Sequence, residues 1–223
     1  MVPRPIRALR KYYLPRLVKA SALIEAEPLC YRYYPQYVSQ EDTVVEVGVY
    51  LGGSTRLLSK LARRVYSFEP HPFNYRVAKA LISKGGAANV KLYDFALGST
   101  DGETKLKVKS SSESNIAAST KGVSGVKYES EITVPVRRLD SVGISPDVLI
   151  LDAEGSELDV MDGGRESLKR LKAAIVETHL IESGHTLPRV KEWAESRFRD
   201  VRVVEVQGDI PWVLAKDPLN ALA

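Results

Sequence analysis

The sequence predicts an α/β fold in which a mostly parallel, seven-stranded sheet carries helices on both faces. Three observations predict it. Short strand-like apolar runs recur at Thr43–Val47, Val65–Phe68, Val90–Leu97, Asp147–Asp152 and Ala173–His179, the last two ending in acidic or polar residues. Stretches with apolar residues on one helical face lie between them, and short continuous apolar runs suit parallel strands buried on both sides. The chain then closes with a helical stretch, Leu187–Phe198, followed by Val201–Val206 and Pro211–Ala215. These last two pair as a hairpin across Gln207-Gly208-Asp209, so the final strand runs antiparallel.

Pro3, Pro5 and Pro15 interrupt the first segment, where Tyr12, Tyr13, Leu14, Leu17, Val18, Leu23 and Ile24 still supply the apolar face of one or two short helices. Residues 1–40 therefore read as a basic helical arm and 41–223 as one substantial domain. The arm carries seven basic side chains against two acidic ones, a net +5, whereas the whole chain sums to +4. Such an arm suits phosphates, an anionic lipid surface or an acidic partner chain, or else packs on the domain as a solvated helix. Tyr31, Tyr33, Tyr34 and Tyr37 crowd ahead of the first strand, either lining a substrate mouth or covering a core edge. Cys30 is the single cysteine, which excludes an internal disulfide framework and a cysteine zinc site. No apolar run reaches the length of a membrane span, and the N-terminus lacks the apolar core of a secretory leader. The cytoplasm is the expected setting, and any membrane contact is peripheral.

The first βαβ unit occupies Thr43–Pro70. A buried-strand run breaks at Gly48, and the turn Gly48-Val49-Tyr50-Leu51-Gly52-Gly53 leads to Ser54 and Thr55, which suit a helix start. Leu57, Leu58 and Leu61 share one face of the helix that follows, and the second strand ends in Glu69-Pro70. Glycines let the backbone approach a ligand closely, and amides at a helix start favour an anion. A carboxylate at the end of the second strand can take both hydroxyls of a ribose, and Glu69 is that carboxylate. The unit thus suits an adenosine-containing cofactor. Val49-Tyr50-Leu51 separate Gly48 from Gly52, so the dinucleotide fingerprint is absent, as is the Walker lysine.

His71-Pro72-Phe73-Asn74 opens a helix through Tyr75, Val77, Ala78, Leu81 and Ile82, which Gly85-Gly86 stops. In the third strand Asp94 either accepts from an adenine amino group or serves as a turn residue, and Phe95 can lie against the ring. From 98 to 142 the pattern changes. Thr104, Leu106 and Val108 alternate with lysines, and Ile132, Val134 and Val136 alternate with Thr133, Pro135 and Arg137. This predicts an antiparallel ribbon inserted into the α/β fold, its tip within the polar stretch Ser110–Ser130. Inserted loops of this kind commonly set substrate selectivity.

Asp147–Asp152 is apolar until Asp152, after which Ala153-Glu154-Gly155-Ser156-Glu157 turns into a helix. Acidic groups at the carboxyl end of a central strand sit where open α/β sheets bind ligands. Asp152 is accordingly the leading catalytic candidate, as a base or as a metal ligand, while Glu154 and Glu157 either join it or cap the helix start. At the fifth strand's end, His179 can remove a proton near neutral pH and Glu177 can orient it or a substrate hydroxyl. A surface or merely hydrogen-bonded role for His179 stays open.

The residues VVEVGVYLGGSTRLLSKL, VYSFEPHPFN, VPVRRLDSV, DVLILDAEGSELDVMDGG and AAIVETH resemble the successive motifs of FkbM-type S-adenosylmethionine-dependent methyltransferases. The resemblance covers about residues 43–180. It implies the class I methyltransferase sheet, of order 3-2-1-4-5-7-6, and O-methylation, frequently of a sugar hydroxyl. By position it implies that Glu46, Gly48, Gly52 and Thr55 line the methionine end of S-adenosyl-L-methionine and that Glu69 holds its ribose. Asp94 and Phe95 would face adenine, with Asp152, Glu154 and Glu177 near the transferred methyl. Two positions depart from the family pattern. Val49-Tyr50 stand where it usually has alanine-asparagine, and Ile150 stands where it has a lysine, which removes a charge near the reaction centre.

The implied step is an in-line transfer of methyl from sulfonium to hydroxyl oxygen, with Asp152 or His179 as the base. A divalent cation such as Mg2+, held by Asp152 with Glu154 or Glu177, is the other means of acidifying the hydroxyl. The expected acceptor is a small molecule or glycan. The basic arm keeps an RNA methyltransferase in view, and Ile150 a non-catalytic adenosine-cofactor-binding or scaffold protein.

Overall fold

Val44, Val45 and Val47 are all buried, as are Val148 to Leu151 and Ala173 to Val176, because both faces of the strands they form are covered. The computed structural model describes residues 29–108, 118–206 and 210–219. Its main sheet contains β1 (Thr43–Val47), β2 (Arg64–Phe68), β3 (Val90–Tyr93), β8 (Val148–Leu151), β9 (Ala173–Glu177), β12 (Phe198–Val206) and β13 (Ile210–Pro218). The spatial order is β12-β13-β9-β8-β1-β2-β3. Numbered along the chain and read from the β3 edge, this is 3-2-1-4-5-7-6, the order the resemblance implies. β3, β2, β1, β8 and β9 pair in parallel, with Val44 opposite Val148 and Val65. β13 runs antiparallel to both β9 and β12.

One face of the sheet buries Val44, Ile150, Ile175 and Leu214 against Leu58, Tyr34 and Tyr37. Leu58 comes from helix α2 (Gly53–Leu61), and the tyrosines from α1 (Tyr34–Tyr37). The other face packs Val45, Leu149, Val176 and Val213 with Val160, Met161, Val190 and Ala194. Those four partners lie on α5 (Glu157–Gly163) and α6 (Leu187–Glu195). Between β2 and β3 runs α3 (Pro72–Lys84), with Pro72 in its first turn and His71 as its N-cap.

A second sheet, in the order β4-β7-β5-β6, contains β4 (Ala96–Leu97), β5 (Gly102–Val108), β6 (Ala118–Ser119) and β7 (Ser130–Arg137). β5 and β7 pair antiparallel from Gly102 opposite Val136 to Val108 opposite Ser130. Leu106, Val108, Val134 and Val136 are buried, which is the alternation read from the sequence. The short helix α4 (Leu139–Val142) returns the chain to β8, and the two-residue strands β10 (Leu180–Ile181) and β11 (Gly184–His185) pair beyond β9.

Element boundaries differ from expectation where one run serves two structures. The third strand does not continue to Leu97: the chain bends at Asp94, and Ala96 and Leu97 pair with Val136 and Arg137 in the second sheet. The last helix ends at Glu195, since Phe198 joins β12 opposite Pro218 and is buried against Trp193. Tyr34, Tyr37 and Val38 belong to the sheet's core. The rest of the arm up to residue 28, the ribbon segment 109–117 and the hairpin turn 207–209 lie outside the described residues. Among the described residues no helix is long and apolar enough to cross a membrane.

Candidate active site

The turn after β1 takes a left-handed backbone at Gly48 (φ 86°), Tyr50 (φ 53°) and Gly52 (φ 91°). At Gly48 there is no room for a side chain, because a Cβ would stand 1.8 Å from the carbonyl oxygen of Asp152. The carboxyl ends of β1 and β8 are thereby brought into contact. Glu69, at the end of β2, is 5% exposed and holds the same turn. Its carboxylate accepts from Tyr50 N at 2.8 Å and from His71 N at 2.9 Å, with Asn74 Nδ2 at 3.5 Å. Burial pushes its carboxyl up to about 7, although the hydrogen bonds from His71, Tyr50 and Asn74 pull the other way.

Glu46 of β1 is fully buried and accepts from three hydroxyls: Ser54 at 2.5 Å, Thr55 at 2.6 Å and Ser67 at 2.6 Å. Burial raises its pKa against those donors. Its neighbour in the β8 register is Ile150, also buried, so the position of the family lysine is apolar here.

At the carboxyl ends of β8 and β9, one imidazole meets four carboxylates. His179, 6% exposed, puts Nδ1 at 2.9 Å from Glu157 Oε1. Its Nε2 lies 3.5 Å from Glu177 Oε1, 3.7 Å from Glu154 Oε2 and 3.8 Å from Asp152 Oδ1. Glu157 is fully buried at the start of α5, and Glu154 adopts a left-handed backbone with φ 49°. Burial opposes a charge on His179, yet the hydrogen bonds to Glu157 and Glu177 and the nearby Asp152 charge push its pKa up to about 11. An imidazolium has no lone pair for another proton, so the acids around His179 weigh against the role of base expected from its place in the sequence. Desolvation raises the Asp152 carboxyl well above the usual range, and the Glu177 and Glu154 charges raise it further. Asp152 Oδ1 is buried without a hydrogen-bond partner.

A cavity of about 430 Å³ opens over these strand ends. Glu46, Glu69, Asp152, Glu154 and Glu177 line it, and no lysine or arginine appears among the described residues that do. Gly48, Tyr31, Tyr34 and Trp212 are also in its wall, so the N-terminal tyrosines both cover the core and face the cavity. Leu106 and Thr120 extend the wall from the second sheet. The ribbon is fastened there by Ser119 Oγ, which donates to Glu154 O at 2.5 Å, by a hydroxyl pair between Thr120 and Ser156, and by Lys121 with Asp159 at 2.6 Å.

Other residues picked out by sequence lie away from the wall. Thr55 is fully buried and spends its hydroxyl on Glu46. Gly52 caps α2 and faces α3, where a Cβ would stand 3.3 Å from Ala78 Cα. Asp94 is exposed at a bend, and Phe95 packs against Phe68 and Tyr93 at centroid distances of 5.5 and 5.2 Å. Neither is part of the cavity wall. Sequence reasoning missed the partners that hold the acids: Ser54 and Ser67 on Glu46, Asn74 on Glu69 and, most of all, Glu157 on His179. The signal for Glu157 was its place as the third acid after Asp152 and Glu154.

The sequence profile described as the methyltransferase FkbM domain matches residues 24–204. No curated protein matches the sequence. The fold is similar to that of a methyltransferase FkbM from Methylobacillus flagellatus KT, with a TM-score of 0.55 and 14% identity over 82% of this chain and 50% of that one. This chain therefore spans half the length of that protein. It is also similar to SMU.1697c from Streptococcus mutans, solved in complex with SAH, with a TM-score of 0.51 and 13% identity over 98% of this chain and 100% of that one. The B. subtilis tRNA methyltransferase TrmK aligns with a TM-score of 0.50 and 12% identity over 86% of this chain and 66% of that one.

Proposed function

The chain belongs to the FkbM methyltransferase family, and from that premise we propose that it moves a methyl group from S-adenosyl-L-methionine to a hydroxyl oxygen of a sugar, glycan or related small molecule. The observation that carries this reading is the acidity of the cavity, whose described lining holds five carboxyl groups, three of them with pKa values raised by burial, and no lysine or arginine. A cofactor bearing a sulfonium and an ammonium meets that field favourably, and a phosphate-rich ligand is repelled by it. The volume of about 430 Å³ falls within the range of cofactor sites.

Glu69 would accept from the ribose hydroxyls, and Glu46 and Gly48 would lie at the methionine end. When bound, the cofactor supplies an electrophilic methyl carbon. Asp152 would take the proton of the acceptor hydroxyl through a carboxylate whose raised pKa makes it a stronger base than an ordinary aspartate. Glu177, 3.5 Å from the imidazolium, would receive a second acceptor hydroxyl and fix the direction of approach. Tyr31, the half-buried ring of the wall, offers a flat face on which a sugar can rest, with Tyr34 and Trp212 buried in the wall's core.

RNA methylation is the second reading, favoured by the +5 charge of residues 1–40 and by the likeness to TrmK. The acidity of the cavity weighs against it. Radiolabelled S-adenosylmethionine offered with total RNA, glycolipid and small-metabolite fractions separates the two. The label is expected in a nuclease-resistant glycan or metabolite pool, and the rate is expected to fall by roughly a hundredfold or more in Asp152→Asn. Label that disappears with nuclease would establish the RNA reading instead. A protein that transfers no label, whether or not it binds the cofactor in calorimetry, would be the non-catalytic adenosine-cofactor-binding or scaffold protein.

A further inference from the structure

We infer that Asp152, Glu154 and His179 form a site for one divalent cation of the manganese, iron or zinc type. One donor atom from each lies within 4.8 Å of the other two. His179 Nε2 stands 3.8 Å from Asp152 Oδ1 and 3.7 Å from Glu154 Oε2. Bonds of about 2.1 Å at a tetrahedral ion put ligand atoms about 3.4 Å apart, so the two distances from Nε2 have only a few tenths of an ångström to close, and the third side of the triangle lies within 4.8 Å.

Two further features point to an ion rather than to a chance gathering of acids. Asp152 Oδ1, the atom that faces His179 Nε2, is buried and has no hydrogen-bond donor. An oxygen in that condition costs free energy until a cation or donor reaches it. The other imidazole nitrogen, Nδ1, is taken at 2.9 Å by Glu157, whose own Oε1 also accepts from Gly155 N at 2.8 Å. A buried carboxylate on the far nitrogen is what orients a metal-bound histidine and raises its basicity. Glu157 is therefore a positioning residue for Nε2, whose proton the ion displaces on binding.

The donor set also selects the ion. Mg2+ prefers an all-oxygen shell, whereas one imidazole with two carboxylates suits Mn2+, Fe2+ or Zn2+. The magnesium expected from Asp152 and Glu154 alone is thus replaced once His179 joins them. Three protein ligands leave the cavity side open, where an acceptor hydroxyl reaching the ion would lose its proton more readily to the Asp152 oxygen that does not ligate. That last role rests on the methyl-transfer reading; the binding of the ion does not.

The test uses the full chain, stripped with a chelator and dialysed. Calorimetry and electron paramagnetic resonance with Mn2+ are expected to show one ion per chain, held at least about tenfold more tightly than Mg2+. Glu154→Gln and His179→Gln should each weaken Mn2+ by about tenfold or more, and Glu157→Gln by a similar factor. Should these variants not fold, nitrogen-labelled histidine in the unmodified protein supplies the readout. The chain has three histidines, His71, His179 and His185, and Mn2+ should broaden His179 first. Absence of stoichiometric Mn2+ binding, Mg2+ binding of equal strength, or a His179 resonance untouched at saturation overturns the site. A protein that binds Mn2+ but transfers no methyl keeps the site and loses the methyl-transfer reading. Undiminished transfer in chelator by a protein that binds no Mn2+ does the opposite.

Discussion

Glu69 stands where the backbone amides of Tyr50 and His71 converge, and it lines the cavity wall. A hydrogen bond to this carboxyl contributes about 0.5–1.5 kcal/mol while it is protonated and about 1.5–3 kcal/mol once it is charged. Loss of the ribose contacts in Glu69→Ala should therefore weaken S-adenosylmethionine binding by roughly tenfold to a thousandfold in calorimetry. Unchanged affinity would show that the ribose is held elsewhere. The same residue shows what a sequence can disclose: an acid at the end of the second strand is visible in SFEP, and its role follows from topology. His179 shows the reverse. Its suitability as a base depends on Glu157 and Glu177, and the carboxylate 22 positions away that takes Nδ1 cannot be assigned to it without the fold.

At the scale of elements, β1 and β8 meet through a backbone contact that tolerates only glycine. In Gly48→Ala the new methyl would stand 1.8 Å from Asp152 O on a backbone of φ 86°. We expect a loss of about 3 kcal/mol or more in urea unfolding. Gly86→Ala is the control, since it shares a positive φ of 69° but meets nothing within 4 Å, and should cost only about 1 kcal/mol. Near-equal losses would mean that the strand junction relaxes freely. The parallel strands were legible because runs such as VLIL and AAIV are apolar on both faces, and the ribbon because lysines alternate with buried Leu106 and Val108. The division of Val90–Leu97 between two sheets was not legible, because Ala96 and Leu97 look like strand residues in either setting.

For the whole molecule, the buried charges set a pH profile. Glu69 keeps its proton in the fold up to about pH 7, whereas an unfolded chain has released it by about pH 5. Unfolding between those values releases a proton, so stability falls as pH rises, by about 3 kcal/mol for this group. His179 acts in the same direction: its contribution is whole below about pH 6.5 and is eroded as pH climbs toward about 11. On the acid side, burial works against the Asp42 charge, but Lys172 and Ser39 hold its pKa below the ordinary value. Its contribution disappears as pH falls through that lowered value. Urea midpoints should accordingly peak near about pH 5 and decline toward about pH 9. A level profile over that span would contradict the electrostatics of both sites.

The chain enters and leaves the second sheet at adjoining residues. Leu97 is paired with Arg137, and Gly98 N donates to Arg137 O at 3.0 Å. Whatever lies between begins and ends on joined neighbours, so a change in its length adds little closure entropy and leaves the seven-stranded register untouched. The ribbon is in that sense an exchangeable cassette. A foreign ribbon grafted between Gly98 and Arg138 should redirect the enzyme to another acceptor while calorimetry records the same cofactor affinity, and a graft that also abolished that affinity would show the two sheets to be a single inseparable unit.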